Sequence, residues 1–162
     1  MTISVGDKLP DATFLHIGPE GPAQKTVAEL TAGRKVAMFA VPGAFTPTCQ
    51  NTHVPNFVQN ADALRAKGVD EIACISVNDP FVMKAFGEAT GASGAGITML
   101  ADADGSFAKA IGLDFSAPPA GLIGRSQRYA ALVEDGVVKA LNVEGSPGQA
   151  VESSADALLE LL

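Results

Sequence analysis

The stretch Val36-Ala37-Met38-Phe39-Ala40-Val41 is continuously apolar, and Pro42-Gly43 ends it abruptly. With Lys35 in front, such a run describes a buried strand, which needs a sheet around it and cover above it. The residues that follow restrict the chain further. Thr46 suits the N-cap of a helix, and Pro47 suits the first helical position, where a missing N–H leaves no bond unmade. Counting on, Cys49 falls at the third helical position. N–H groups in that turn lack carbonyl partners, and the helix dipole there favours negative charge. A thiol so placed is a candidate nucleophile. The alternative, a structural core thiol, fits poorly, because core thiols rarely follow a strand, a Pro-Gly break and a helix cap.

The rest of the pattern fits the same plan. Residues 9–17 alternate weakly and predict a strand or hairpin before a turn at Gly18-Pro19-Glu20-Gly21-Pro22. Thr26 suits the cap of a short helical turn. Pro55 has no N–H for the carbonyl of Asn51, so the helix from Pro47 should kink or restart there before running to Lys67, with Gly68 ending it. Glu71–Val77 and Ile97–Ala101 read as strands. Between them, Asn78-Asp79-Pro80 reads as a cap and proline start for a helix through Ala89. Asp104 suits the cap of a short helix, and residues 112–126 look irregular. Residues 128–134 and 137–143, joined by Asp135-Gly136, carry the strongest hairpin signal. Ser153 or Ser154 caps a final amphipathic helix. This order predicts an α/β fold with a central mixed sheet flanked by helices and an N-terminal strand or hairpin extension. Cys49 would sit at the carboxyl end of its strand, the usual place for sites in open α/β sheets.

The sequence shows no repeat and no linker, and its 162 residues predict one domain over 1–162. No apolar run reaches the roughly 18 residues of a membrane span. The opening Met1-Thr2-Ile3-Ser4-Val5-Gly6-Asp7 lacks the basic and apolar regions of a secretory signal. A net charge of −7 argues against a nucleic-acid partner. Cys49 and Cys74, the 2 cysteines, make no disulfide framework, so a reducing compartment is expected. That means the cytoplasm, or an organelle for a mature form stripped of its transit peptide.

Pro42-x-x-x-Thr46-x-x-Cys49 resembles the peroxidatic signature of peroxiredoxins. The longer form Pro-Gly-Ala-Phe-Thr-Pro-Thr-Cys resembles the type II, peroxiredoxin 5-like, subfamily. Similar too are Ser76-Val77-Asn78-Asp79-Pro80-Phe81, Arg125-Ser126-Gln127-Arg128-Tyr129 and the run from Asp135 to Asn142. The resemblance covers nearly the whole chain. It implies a thioredoxin-like fold, reduction of hydrogen peroxide and organic hydroperoxides through a Cys49 sulfenic acid, a non-covalent homodimer, and no metal, flavin or haem. By position it makes Cys49 the peroxidatic cysteine, gives Thr46 and Pro42 the shaping of its pocket, and makes Arg128 the catalytic arginine. Chemistry supports each assignment. Thr46 lies on the helical face of Cys49, so its hydroxyl can reach sulfur and peroxide. Pro42 has no N–H to compete for the sulfur. Arg128 carries a permanent charge that favours thiolate and binds oxygen; read from the residues alone, the less favoured alternative is a solvated charge on an exposed strand.

Acidity explains little of such a reaction. For a thiol moved from about 8.5 to about 6, the thiolate fraction at neutral pH rises roughly thirtyfold. Nucleophilicity falls on the order of tenfold at a Brønsted slope of about 0.4–0.5. Most acceleration must come from placing the O–O bond and stabilising the departing oxygen.

Cys74, inside Ile72-Ala73-Cys74-Ile75, reads as a buried inert thiol or as a resolving cysteine that needs local unfolding to meet Cys49. The segment from Glu144 onward, where some peroxiredoxin 5-like proteins carry a resolving cysteine, contains none. An external reductant is therefore expected, glutathione with glutaredoxin or thioredoxin. His53 could share the face of Cys49; a zinc pair would need further ligands, so a hydrogen-bonding role fits better. Arg125 is either a second basic group beside the pocket or a surface charge. Gly91-x-x-Gly94-x-Gly96 precedes a strand and fails as a dinucleotide motif. Asp102-x-Asp104-Gly105 lacks the remainder of an EF-hand loop. The competing reading is a redox-sensing interaction protein switched by oxidation of Cys49.

Overall fold

The structure, a computed structural model, describes residues 2–162. An N-terminal hairpin pairs β1 (Thr13–Gly18) with β2 (Gly21–Thr26), and a short α1 (Val27–Thr31) follows. The hairpin turn is tighter than expected. Gly18 pairs with Gly21, so Pro22 lies in β2, an edge strand where a missing N–H disturbs no ladder. Thr26 caps α1 as expected, in a capping box with Glu29.

Next come β3 (Lys35–Val41), α2 (Val54–Ala66), β4 (Glu71–Ser76), α3 (Pro80–Thr90), β5 (Thr98–Ala101) and α4 (Ser106–Ala110). The chain closes with β6 (Asp114–Ala117), β7 (Leu122–Ser126), β8 (Tyr129–Glu134), β9 (Val137–Val143) and α5 (Ala155–Leu159). The main sheet runs β2-β1-β5-β4-β3-β8-β9, with β3, β4 and β5 parallel and the other pairs antiparallel. This is the central mixed sheet flanked by helices, in thioredoxin-like form.

β3 lies inside the sheet, and the two-residue period of a strand divides its side chains between two cores. Ala37, Phe39 and Val41 meet Phe57 and Leu64 of α2, Met83 and Phe86 of α3, and Leu158 of α5. Val36, Met38 and Ala40 meet Phe14, Leu30 and Phe107 on the other face. Double cover explains the uninterrupted apolar run.

Of the local expectations, one holds in a particular form and two need correction. The helix restarts beside Pro55, as expected: Cys49–His53 winds as a π-helix, the Val54 N–H bonds to the Cys49 carbonyl, and α2 begins at Val54 with Pro55 in its first turn. The wider turn shifts the hydrogen-bond register where proline could not donate. The N-terminus of α4 is held chiefly by Asp102, buried, whose carboxylate accepts from the N–H groups of Phe107 and Ala108 at 3.0 and 2.9 Å. Asp104 accepts only from Ser106 N. Residues 112–126 are not irregular; β6 and β7 form a separate two-stranded sheet. The Asp135-Gly136 turn forms as predicted, with both residues at positive φ, 48° and 79°.

Candidate active site

The helix begins where expected: Gln50 N–H bonds to the Thr46 carbonyl at 2.9 Å, which places Cys49 in the first turn. The Thr46 side chain, however, does not cap it. Its Oγ1 lies 2.7 Å from the Gly43 carbonyl and 2.8 Å from Cys49 Sγ. One hydroxyl carries one proton and the carbonyl can only accept. With the proton toward Gly43, Thr46 accepts from a Cys49 S–H; with the proton toward sulfur, it serves a thiolate. The hydroxyl therefore fits either ionisation state without moving.

Arg128 approaches from the other side of the sulfur. It sits just before β8, not inside it, and is buried beside Tyr129. Its Nη2 donates to Cys49 Sγ at 3.2 Å and to the Pro147 carbonyl at 3.0 Å, and its Nε–H to that carbonyl at 3.4 Å. Nη1 lies 3.0 Å from His53 Nδ1. Among the described residues no carboxylate lies within ion-pair distance of this guanidinium. The sulfur is thus the group in direct contact that can answer its charge.

His53, fully buried one helical turn beyond Cys49, has its tautomer fixed by its partners. Nε2 lies 2.8 Å from the Ser153 carbonyl, so that nitrogen carries the proton, and Nδ1 accepts from Arg128. Burial, with the Arg128 charge alongside, pushes the imidazole down to about 3. A ring held that low is neutral near pH 7, and a neutral ring is what Arg128 needs as an acceptor.

The approach to the sulfur is a strained loop. Phe45 takes φ 66°, left-handed and unusual for a residue with a Cβ. The conformation is held from both ends. Ala44 N–H donates to Asn78 Oδ1 at 3.0 Å, and the Phe45 ring packs edge-on against Phe86 at 5.2 Å. Pro42 is buried at the end of β3. Arg125, on β7, lies against this loop: a Cβ on Gly43 would stand 3.1 Å from its Nη1 and 3.2 Å from Thr46 Cγ2. Arg125 thus borders the Pro42–Thr46 loop.

Cys74 stands apart. It is fully buried on β4, paired in register with Phe39. Burial pushes its thiol up, and the neighbouring Cys49 adds to the effect. Cys49, Thr46, Arg128 and His53 are thus brought together, Arg125 and Pro42 border them, and Cys74 belongs to the core. Sequence reasoning missed Asn78 as a loop tie, having read it only as part of a helix start. It also missed the carbonyls of Pro147 and Ser153, which carry no side-chain signal at all.

The arrangement can hold a sulfur nucleophile between a hydroxyl and a cation. The Redoxin family model matches residues 4–159. The chain is 53% identical to Peroxiredoxin-2E-2, chloroplastic, of Oryza sativa subsp. japonica, over 99% of this chain and 73% of that one. It is 46% identical to Peroxiredoxin-2B of Arabidopsis thaliana, over 99% and 98% of the two chains. The crystal structure of reduced Prx3 in complex with H2O2 from Vibrio vulnificus superposes with a TM-score of 0.92 at 51% identity, covering 99% of this chain and 100% of that one. The chain therefore belongs to the redoxin family and, within it, to the type II peroxiredoxins, thiol-dependent peroxidases.

Proposed function

We propose that Cys49 is the peroxidatic thiol, that it reduces hydrogen peroxide and organic hydroperoxides to water or alcohol, and that an external thiol restores it. The observation that carries this reading is the position of Cys49 Sγ between Thr46 Oγ1 and Arg128 Nη2. The thiolate attacks one peroxide oxygen, the O–O bond breaks, and sulfur becomes a sulfenic acid. The electron pair leaves on the second oxygen, as hydroxide or alkoxide, which takes a proton. Arg128 faces the charge that develops on that oxygen, and Thr46 orients the peroxide through its hydroxyl. His53 holds the guanidinium by accepting from Nη1, and Pro42 keeps a competing N–H away from sulfur. The Vibrio relative, described as a complex with H2O2, supports the smaller substrate.

The sulfenic acid condenses with a thiol, giving a mixed disulfide and water; a second thiol then releases Cys49. Cys74 is a poor resolving group, being fully buried and held protonated. We infer that glutathione with glutaredoxin, or thioredoxin, supplies both thiols. These steps balance with thiols and peroxide alone and involve no metal, flavin or haem. The homodimer is supported by exposed Phe45, Phe81 and Ile123. Phe45 belongs to the Pro42–Thr46 loop, and the other two follow residues that reach it: Asn78, three residues before Phe81, bonds to Ala44, and Leu122, next to Ile123, lies near Gly43. A reducing compartment fits two free thiols, either the cytoplasm or an organelle such as the chloroplast named for the rice relative.

Mass spectrometry after one equivalent of peroxide, followed by glutathione, tests the assignment. The expected products are a single oxygen on Cys49, then a glutathione adduct on Cys49, with Cys74→Ser turning over like the parent. A Cys49–Cys74 disulfide, with turnover lost in Cys74→Ser, would replace the external thiol by an internal one.

A further inference from the structure

Backbone carbonyls of one loop hold the groups around the sulfur. Pro147 O accepts from Arg128 Nε and Nη2, Gly148 O from Thr48 Oγ1, and Ser153 O from His53 Nε2. Residues 145–149 are exposed and form no strand or helix, so the loop has little packing of its own. Its two ends are buried and bonded to each other. Glu144 Oε1 accepts from the Ser153 N–H at 2.7 Å and from its hydroxyl at 2.9 Å, across nine residues of chain. Glu144 is itself anchored, since its N–H donates to the Arg128 carbonyl at 3.0 Å. Beyond Ser153, Ala155 N–H donates to Asn56 Oδ1 on α2. The clasp therefore joins the strand end next to Arg128 to the helix that carries His53.

A carboxylate buried this way, with no cation paired to it and no partner for Oε2 among the described residues, is costly to keep. Closing the loop is what it accomplishes. We propose that Glu144 is a positioning residue: its carboxylate, through Ser153, fastens residues 145–153 over the site so that the Pro147 and Ser153 carbonyls hold Arg128 and His53 in register with Cys49. The proposal rests on the reading of Arg128 as the group that acts at the sulfur.

The experiment compares Glu144→Ala, Glu144→Gln and Ser153→Ala with the parent in the intact chain. Four quantities are measured: the peroxide rate constant at Cys49, its alkylation rate by iodoacetamide, hydrogen exchange of residues 145–153, and Tm. Alkylation needs the thiolate but not a gripped peroxide. Loss of hydrogen bonds to a charged acceptor shifts an equilibrium by about 10- to 100-fold each. In Glu144→Ala, exchange in the loop should rise about tenfold or more and the peroxide rate should fall about tenfold, while alkylation holds or quickens. Glu144→Gln keeps the acceptor oxygen and should recover most of the peroxide rate. Ser153→Ala, losing one bond, should fall between. A lower Tm with a peroxide rate within twofold of the parent makes the role merely structural and overturns the proposal, as do equal losses in the Ala and Gln variants. If Glu144→Ala does not fold, Ser153→Ala decides: parent-like exchange and peroxide rate overturn it. Arg128→Met separates the two readings. An unchanged peroxide rate there sinks the role of Arg128, whereas impairment there with a parent-like Glu144→Ala sinks the clasp alone.

Discussion

Lowering the pH from 7 to 5 should destabilise this protein by about 2 kcal/mol through His53 alone. The folded imidazole is held down to about 3 by its lack of water and the nearby Arg128 charge. In the unfolded chain the ring titrates near its free value of about 6.5. Below that value the unfolded state takes up a proton that the folded state refuses, so stability is complete above about pH 6.5 and is lost as pH falls toward 3. The loss approaches about 1.4 kcal/mol per pH unit once the unfolded ring is fully protonated, and sums to about 2 kcal/mol at pH 5. The assay is urea unfolding at pH 7 and pH 5, at fixed protein concentration with reductant present, for the parent and for His53→Gln. The variant shifts absolute stability, so the comparison is of the two differences. The parent should lose about 2 kcal/mol more than the variant over this interval. Equal losses would mean that His53 accepts a proton in the folded state, and the tautomer assigned from Ser153 and Arg128 would be wrong. The peroxide reaction should feel none of this above pH 5, because folded His53 stays neutral there and Arg128 keeps its acceptor.

Gly43→Ala should lower the peroxide rate several-fold, since its Cβ would press on Thr46 Cγ2 and Arg125 Nη1. Adding Arg125→Ala should restore part of the rate in stopped-flow traces, and no restoration would remove Arg125 from the pocket wall. Phe81→Asp, at an exposed position, should break the proposed homodimer and shift sedimentation to monomer. A parent that already sediments as monomer would refute the homodimer, and an unchanged dimer in the variant would remove Phe81 from its interface.

What the sequence could and could not reveal divides by distance along the chain. Thr46 and Cys49 are three residues apart, so cap, proline and helical period suffice to put the hydroxyl beside the sulfur. Arg128 is 79 residues away and was assignable only through family resemblance, because nothing local says which strand faces which helix. His53 could be placed on the right face, but its partners could not, since both arise from long-range contacts. Pro55 marked a break in the helical ladder without saying how it resolves; the π turn that absorbs it depends on the packing around Cys49 and His53. The Phe45 backbone bears no sequence mark, as glycine would have been the signal for a left-handed residue there. The carbonyls of Pro147 and Ser153 are the extreme case. Backbone oxygen is common to every residue, so its use leaves no compositional trace.

If the pocket, more than the acidity of the thiol, drives the chemistry, Thr46→Val should show it most directly. Valine keeps the shape and removes the hydroxyl that faces Cys49 Sγ. The ratio of the peroxide rate constant to the iodoacetamide alkylation rate, measured at one pH, separates gripping the peroxide from ionising the thiol. Removing one preorganised donor at developing charge typically costs about 10²–10³ in rate. The expected result is a peroxide rate lower by about 100-fold with alkylation within a few-fold of the parent. A Thr46→Val protein that reacts with peroxide as fast as the parent while alkylating normally would contradict it.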